Sequence, residues 1–185
     1  MDWEFAVLDF IRETFSCKAM DVIMQAITFL GEAGWLWIAL GLALAIIPKT
    51  RKIGITVLGA LILSLIFCNI TLKPIVARIR PYDVKEGIDI ILKSKPSDYS
   101  FPSGHTSASF AAAAAIFACN KKWGSGALSL AAVIAFTRLY LYVHFPTDVL
   151  AGVALGTLCG VISYYVVKFF YQKFYGKRSE INALT

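Results

Sequence analysis

Apolar runs broken by short polar joints set the pattern of this 185-residue chain. Residues 2–15 alternate acids with Trp3, Phe5, Ala6, Leu8, Phe10 and Ile11, which suits an amphipathic helix lying on a membrane interface. The apolar stretch that follows ends at Gly31-Glu32 and predicts a first membrane helix over 16–31. Further spans are expected at 34–48, where Trp35 and Trp37 are placed like interfacial anchors, and at 53–72. The small-residue-rich run 104–119 is a fourth, 126–143 a fifth and 147–171 a sixth. The expected fold class is all-α: a polytopic membrane protein of six transmembrane helices after an N-terminal amphipathic helix, with 1–185 as one membrane-embedded domain.

Composition strengthens that picture. The chain is 58% hydrophobic and 16% charged, with a mean hydropathy of +0.67, too apolar for an ordinary soluble domain. Its net charge of +6 does not point to nucleic acid, because the basic residues sit between apolar segments and form no continuous stripe. Lys49, Arg51 and Lys52, then Lys121 and Lys122, then Lys168, Lys173, Lys177 and Arg178 all fall on one side, cytoplasmic by the positive-inside rule. The other side receives 73–103 and the turn at 144–147. Lys73, Arg78, Arg80, Lys85, Lys93 and Lys95 load that side against the rule, partly offset by Asp83, Glu86, Asp89 and Asp98. The Met-Asp-Trp-Glu start has no basic stretch ahead of an apolar one, so no cleavable signal peptide is expected. Cys17, Cys68, Cys119 and Cys159 lack metal-ligand spacing and read as small buried hydrophobes. Gly152, Gly156 and Gly160 put small residues on one face of the last span, for packing inside the bundle rather than for a dimer.

Three polar clusters break the apolar pattern. Lys73 and Arg80 are seven residues apart, roughly 10 Å along one face if the helix continues, with Pro81 placed to end it. Alone they read as snorkelling cations, and Arg78 and Lys85 as solvated charges. Pro102-Ser103-Gly104-His105 opens a helix: Ser103 is a good N-cap, Gly104 lets a ligand approach, and free amides there attract anions. Arg138, His144 and Asp148 form the third. An Asp reaching a His fixes its tautomer and leaves the other ring nitrogen free to attack, although a lone His-x-x-x-Asp reads more readily as a helix start with His144 a bystander. Together they supply a nucleophile, an acid and three cations for phosphoryl transfer. No carboxylate cluster is present to hold magnesium, so no metal and no cofactor are expected.

Lys73-x6-Arg80-Pro81, Pro102-Ser103-Gly104-His105 and Arg138-x5-His144-x3-Asp148 resemble the tripartite signature of the type 2 phosphatidic acid phosphatase superfamily. The resemblance implies a metal-independent lipid phosphatase that works through a phosphohistidine. His144 would be the nucleophile, Asp148 its orienter and His105 the acid. Lys73, Arg80, Ser103, Gly104 and Arg138 would bind phosphate. The signature usually opens its third motif with Ser-Arg, where this chain has Thr137-Arg138. The implied partner is a lipid phosphate in the cell membrane, reached from the extracytoplasmic face. Undecaprenyl diphosphate is the first expectation, with phosphatidylglycerol phosphate and phosphatidic acid as alternatives. An anion transporter is disfavoured because the charges gather at one face and not at the midplane. A vanadium-dependent oxidase of the same superfamily is disfavoured by the membrane content. Tyr82, Tyr99, Phe101, Tyr140, Tyr142 and Phe145 flank the clusters as interfacial anchors or as the lining of a lipid entrance.

Overall fold

The computed structural model describes residues 2–85, 88 and 95–173, and the charges at Glu86, Asp89, Lys93, Lys177 and Arg178 lie outside them. Among the described residues every regular element is helical. The chain runs through α1 (Asp2–Phe15), α2 (Lys18–Leu30), α3 (Trp35–Ile46) and α4 (Arg51–Ser64). A π-helical stretch, Leu65–Leu72, leads from α4 into the single turn α5 (Lys73–Val76), followed by α6 (Pro81–Val84). The remaining helices are α7 (Gly104–Cys119), α8 (Lys121–Tyr140) and α9 (Pro146–Tyr171). The protein is a multi-pass membrane protein: Lys18–Ile46, Arg51–Val84 and Pro146–Tyr171 are long and apolar enough to cross a bilayer, and Gly104–Cys119 is a shorter apolar helix. Val22, Phe29, Leu42, Ile62, Leu158 and Phe169 remain exposed on these helices, as lipid-facing side chains would.

Helices α2, α3, α4, α7, α8 and α9 fall on the six expected segments, with one difference in how the first two are arranged. The sequence pattern divides 16–48 into two spans, yet α2 and α3 lie end to end. Down α2, Asp21 meets Tyr140, Thr28 meets Arg138, and Gly31 lies against Ile134, an antiparallel descent along α8. Gly34 then lies against Ala108, and Trp37 donates to Ser109 Oγ (3.0 Å), continuing down α7. The break between them is a short turn, Glu32–Gly34, where Ala33 and Gly34 take positive φ (46° and 68°). Trp37 is therefore buried against α7, and Trp35, about 200° away around the helix, is exposed partway along the Lys18–Ile46 span, so neither stands at a membrane interface as the sequence pattern suggests.

The tightest seam joins α7 to α9. A Cβ at Gly152, Gly156 or Gly160 would sit 2.9, 2.3 or 2.7 Å from the carbonyl oxygens of Ser103, Ser107 and Ala111 respectively. The glycines thus serve packing within the bundle, and Ala111, Ala112, Ala113 and Ala115 are fully buried at the centre. This contact sets the start of α7 beside the start of α9, placing the second and third polar clusters together. Helix α1 lies across the same end, with Leu8 and Ile11 buried and Trp3 and Phe10 exposed.

Candidate active site

One cavity of about 1170 Å³ gathers Lys73, Arg80, Gly104, His105, Arg138 and His144 on its lining. Each arrives from a different local device. Lys73 ends the π-helical stretch, just before Pro74, which has no N–H to donate. The helix was expected to run on to Pro81, but it stops after Val76 because Ala77 is left-handed (φ 48°). Arg80 is extended, as a residue before proline prefers, and Pro81 opens α6 instead of closing α5. Arg138 comes from the last turn of α8. His144 stands on the turn between α8 and α9, and Pro146 starts α9.

His144 is 1% exposed and addressed from both sides. Its Nε2 lies 3.2 Å from Arg80 Nη1, and a guanidinium can only donate, so Nε2 carries the lone pair and the proton is on Nδ1. Nδ1 faces Ser100 Oγ at 3.4 Å and Asp148 Oδ2 at 3.6 Å. Burial, joined by Arg80 and Arg138, holds the imidazole well below the ordinary histidine value against the pull of Asp148, leaving it neutral at pH 7. Asp148 is fully buried behind it and also accepts from Ser100 Oγ and from Phe145 N (2.9 Å).

Two buried polar atoms lack a protein partner among the described residues, His105 Nε2 and Arg138 Nε. Both residues line the cavity, so these atoms are available to a ligand. Gly31 lets the imidazole in: a Cβ there would lie 2.9 Å from His105 Cδ2. Ser103 does not reach the cavity lining. It caps α7, accepting from Thr106 Oγ1 (2.9 Å), while its backbone N–H donates to Asp148 O (3.1 Å). Thr137 is buried and donates to Ile134 O (2.6 Å), away from the cavity.

The structure adds residues the motifs did not single out. Asp98, read from sequence as one of several offsetting acids, binds Lys73 Nζ and Arg80 Nη2. Burial pushes its carboxyl up, but the two cations outweigh burial and hold it down at about 2. Asn69, polar within the π-helical stretch, lines the cavity, its Oδ1 3.1 Å from where a Cβ on Gly104 would sit. Arg78 is no solvated charge: it bonds Asp148, Thr147 and Glu4, each at 2.6 Å, because two buried carboxylates face it. Lys85 does stay at the surface, paired with Asp9. None of the flanking aromatics lines the cavity: Tyr142 donates to Asp9 of α1, Tyr140 to Asp21 of α2 and Tyr82 to Pro96 O. Among the described residues no group of three His, Cys, Asp or Glu side chains is placed to hold a metal ion.

A model of the PAP2 superfamily matches residues 53–172, which include every one of these motifs. The chain belongs to the PAP2 superfamily. Among PAP2 relatives, it is 32% identical over 139 residues to an undecaprenyl-diphosphatase of Sulfolobus acidocaldarius, covering 73% of this chain and 66% of the relative. A lipid A 4'-phosphatase of Porphyromonas gingivalis is likewise spanned over 66% of its length, so the chain matches about two thirds of these curated relatives. Two solved structures share the fold at a TM-score of 0.71. Aquifex aeolicus LpxE is 28% identical, with 84% of this chain and 93% of that one covered. The first transmembrane PAP2 type phosphatidylglycerolphosphate phosphatase from Bacillus subtilis is 26% identical, with 94% and 86% covered.

Proposed function

We propose that the protein is a metal-independent membrane lipid phosphatase acting through a phosphohistidine, with 1–185 working as one membrane-embedded domain. The observation that carries this reading is the two-sided setting of His144, with Nε2 toward the cations of the cavity and Nδ1 backed by Asp148. In the first step the Nε2 lone pair attacks the terminal phosphorus, a P–N bond forms and the P–O bond to the leaving group breaks, that group being the lipid alcohol of a monophosphate or the lipid monophosphate of a diphosphate. His105 gives its proton to the departing oxygen, and Asp148 stabilises the charge that develops on His144. Lys73, Arg80 and Arg138 with the Gly104 amide hold the phosphoryl oxygens, and Ser103 acts by fixing the helix start that presents that amide. Water, deprotonated by His105, then cleaves the P–N bond and releases phosphate.

The cavity continues from the cations to Ile38, Leu58, Leu61, Ile62 and Leu65, a wall suited to an acyl or polyprenyl tail. Undecaprenyl diphosphate is the leading substrate, supported by the relative from Sulfolobus acidocaldarius. Phosphatidylglycerol phosphate is the second reading, supported by the likeness to the Bacillus subtilis enzyme. The protein resides in the cell membrane with its site on the extracytoplasmic face, because Lys49, Arg51, Lys52, Lys121 and Lys122 lie at the opposite end of the helices.

Phosphate release from a panel of purified lipid phosphates and diphosphates tests the reading. His144→Ala should lose at least ~10³-fold in kcat while remaining folded. Full turnover by that variant would sink the mechanism, and equal turnover of every lipid would remove the substrate preference.

A further inference from the structure

Arg78 stands between the two phosphate-facing cations of the first motif, but its side chain points the other way. Its Nη1 donates to Asp148 Oδ1 and to Thr147 Oγ1, and its Nη2 donates to Glu4 Oε2, all at 2.6 Å. The guanidinium carbon lies 4.0 Å from the centre of the Phe145 ring. Glu4 closes the circle, because its Oε1 accepts from Thr147 Oγ1 at 2.6 Å. The Arg78 backbone braces the same pair a second time: its carbonyl accepts from Ser100 N (2.8 Å), and Ser100 Oγ bonds Asp148 Oδ2 while facing His144 Nδ1.

Asp148 therefore presents two oxygens with separate duties. Oδ2 serves His144, Ser100 and the Phe145 amide, and Oδ1 is held by Arg78. Only an arginine can do this, since its planar fork reaches two carboxylates and a hydroxyl in different directions at once. Two buried carboxylates, 6% and 0% exposed, would repel without it. One of the two belongs to α1, a helix outside the three motifs and outside residues 53–172.

We propose that Arg78 is a positioning residue for the His144–Asp148 pair, and that Glu4 of α1 holds it to that task. Docking of the amphipathic helix thereby aligns the nucleophile. This rests on the reading that His144 attacks phosphorus. The charges around His144 give the direction of the effect. Arg80, Arg138, Lys73 and His105 face it from the cavity side, with Asp98 on Lys73 and Arg80. Asp148 faces it from behind, with Arg78 drawing on that carboxylate and Glu4 on Arg78. Taking Arg78 away frees the full charge of Asp148 toward His144, which makes the ring easier to protonate. The acid limb of the rate profile then moves to higher pH.

The test measures kcat, KM and the pH dependence of kcat/KM for Arg78→Lys, Arg78→Met and Glu4→Gln beside His144→Ala. Melting temperature in detergent is followed for each. Arg78→Met should lose about 10- to 100-fold in kcat, the scale seen when a partner that orients an active group is removed, with KM held within about threefold. Its acid limb should rise by roughly half to one pH unit. Arg78→Lys should recover part of the rate, and Glu4→Gln should lose roughly three- to tenfold, less than Arg78→Met, since it disturbs only the outer contact. If Arg78→Met fails to fold, Arg78→Lys and Glu4→Gln carry the same readouts. Lowered melting temperatures with wild-type kcat and an unmoved acid limb, beside an inactive His144→Ala, would overturn this inference alone. A His144→Ala protein that still turns over would overturn it together with the phosphohistidine reading.

Discussion

Asp98 shows how a residue can matter to a phosphate site without belonging to any motif. Its carboxylate sits on Lys73 and Arg80, two of the three cations a phosphoryl group would use, while its side chain stays 54% exposed. A bound phosphate has to share or displace it. Asp98→Asn keeps the shape and removes the competing charge, so KM and the inhibition constant for vanadate should each fall by about tenfold, the scale of one charge-assisted hydrogen bond. Unchanged or weaker vanadate inhibition would show that Asp98 does not compete. The pairs Lys73 with Arg80 and His144 with Asp148 were legible in the sequence because each lies within one motif. The partners of Arg78 were not, since Glu4 and Asp148 lie 74 and 70 residues away and no spacing brings them together. Asp98 was equally hidden, because an acid among several in a basic connection looks like an offsetting charge until its two cations are seen.

At the scale of elements, the helices were readable from apolar runs broken by polar joints, and the glycine face of α9 was readable as a packing face. What it packs against was not, because a spacing of four says nothing about the neighbour. The neighbour is the backbone of α7, and a Cβ at Gly156 would lie 2.3 Å from the Ser107 carbonyl oxygen. Gly156→Ala should therefore cost about 2 kcal/mol of stability and reduce activity, since α7 must shift at the turn that presents Gly104 and His105. Gly126→Ala on α8 is the control: nothing lies within 4 Å of the added atom, and the change should be neutral or stabilising. Equal melting temperatures for the two variants would discount the seam. The turn at 31–34 was also misleading from sequence, because Gly31 and Gly34 look like the joint of two antiparallel spans. Their actual work is to admit His105 and to bend one continuing descent.

For the whole molecule, that descent places α1 and the active site at the same end of the bundle, with Lys121 and Lys122 at the other. Cys17 is exposed at the start of α2 and makes the arrangement measurable. In oriented membranes an impermeant maleimide should label Cys17 from the outer face. It should reach Lys121→Cys, in a Cys17→Ser background, from the inner face alone. Labelling of Cys17 from the inner face would restore two separate crossings over 16–48. The end-to-end arrangement also bears on how the protein is made. Helix α1 carries Asp2, Glu4, Asp9 and Glu13 against Arg12, so little positive charge opposes its export across the bilayer. On the proposed orientation, Glu4 would reach Arg78 only once α1 has crossed to the outer face. A chain whose α1 had not crossed would then be inserted but unbraced, so on this reading the crossing of α1 and the alignment of His144 depend on one contact.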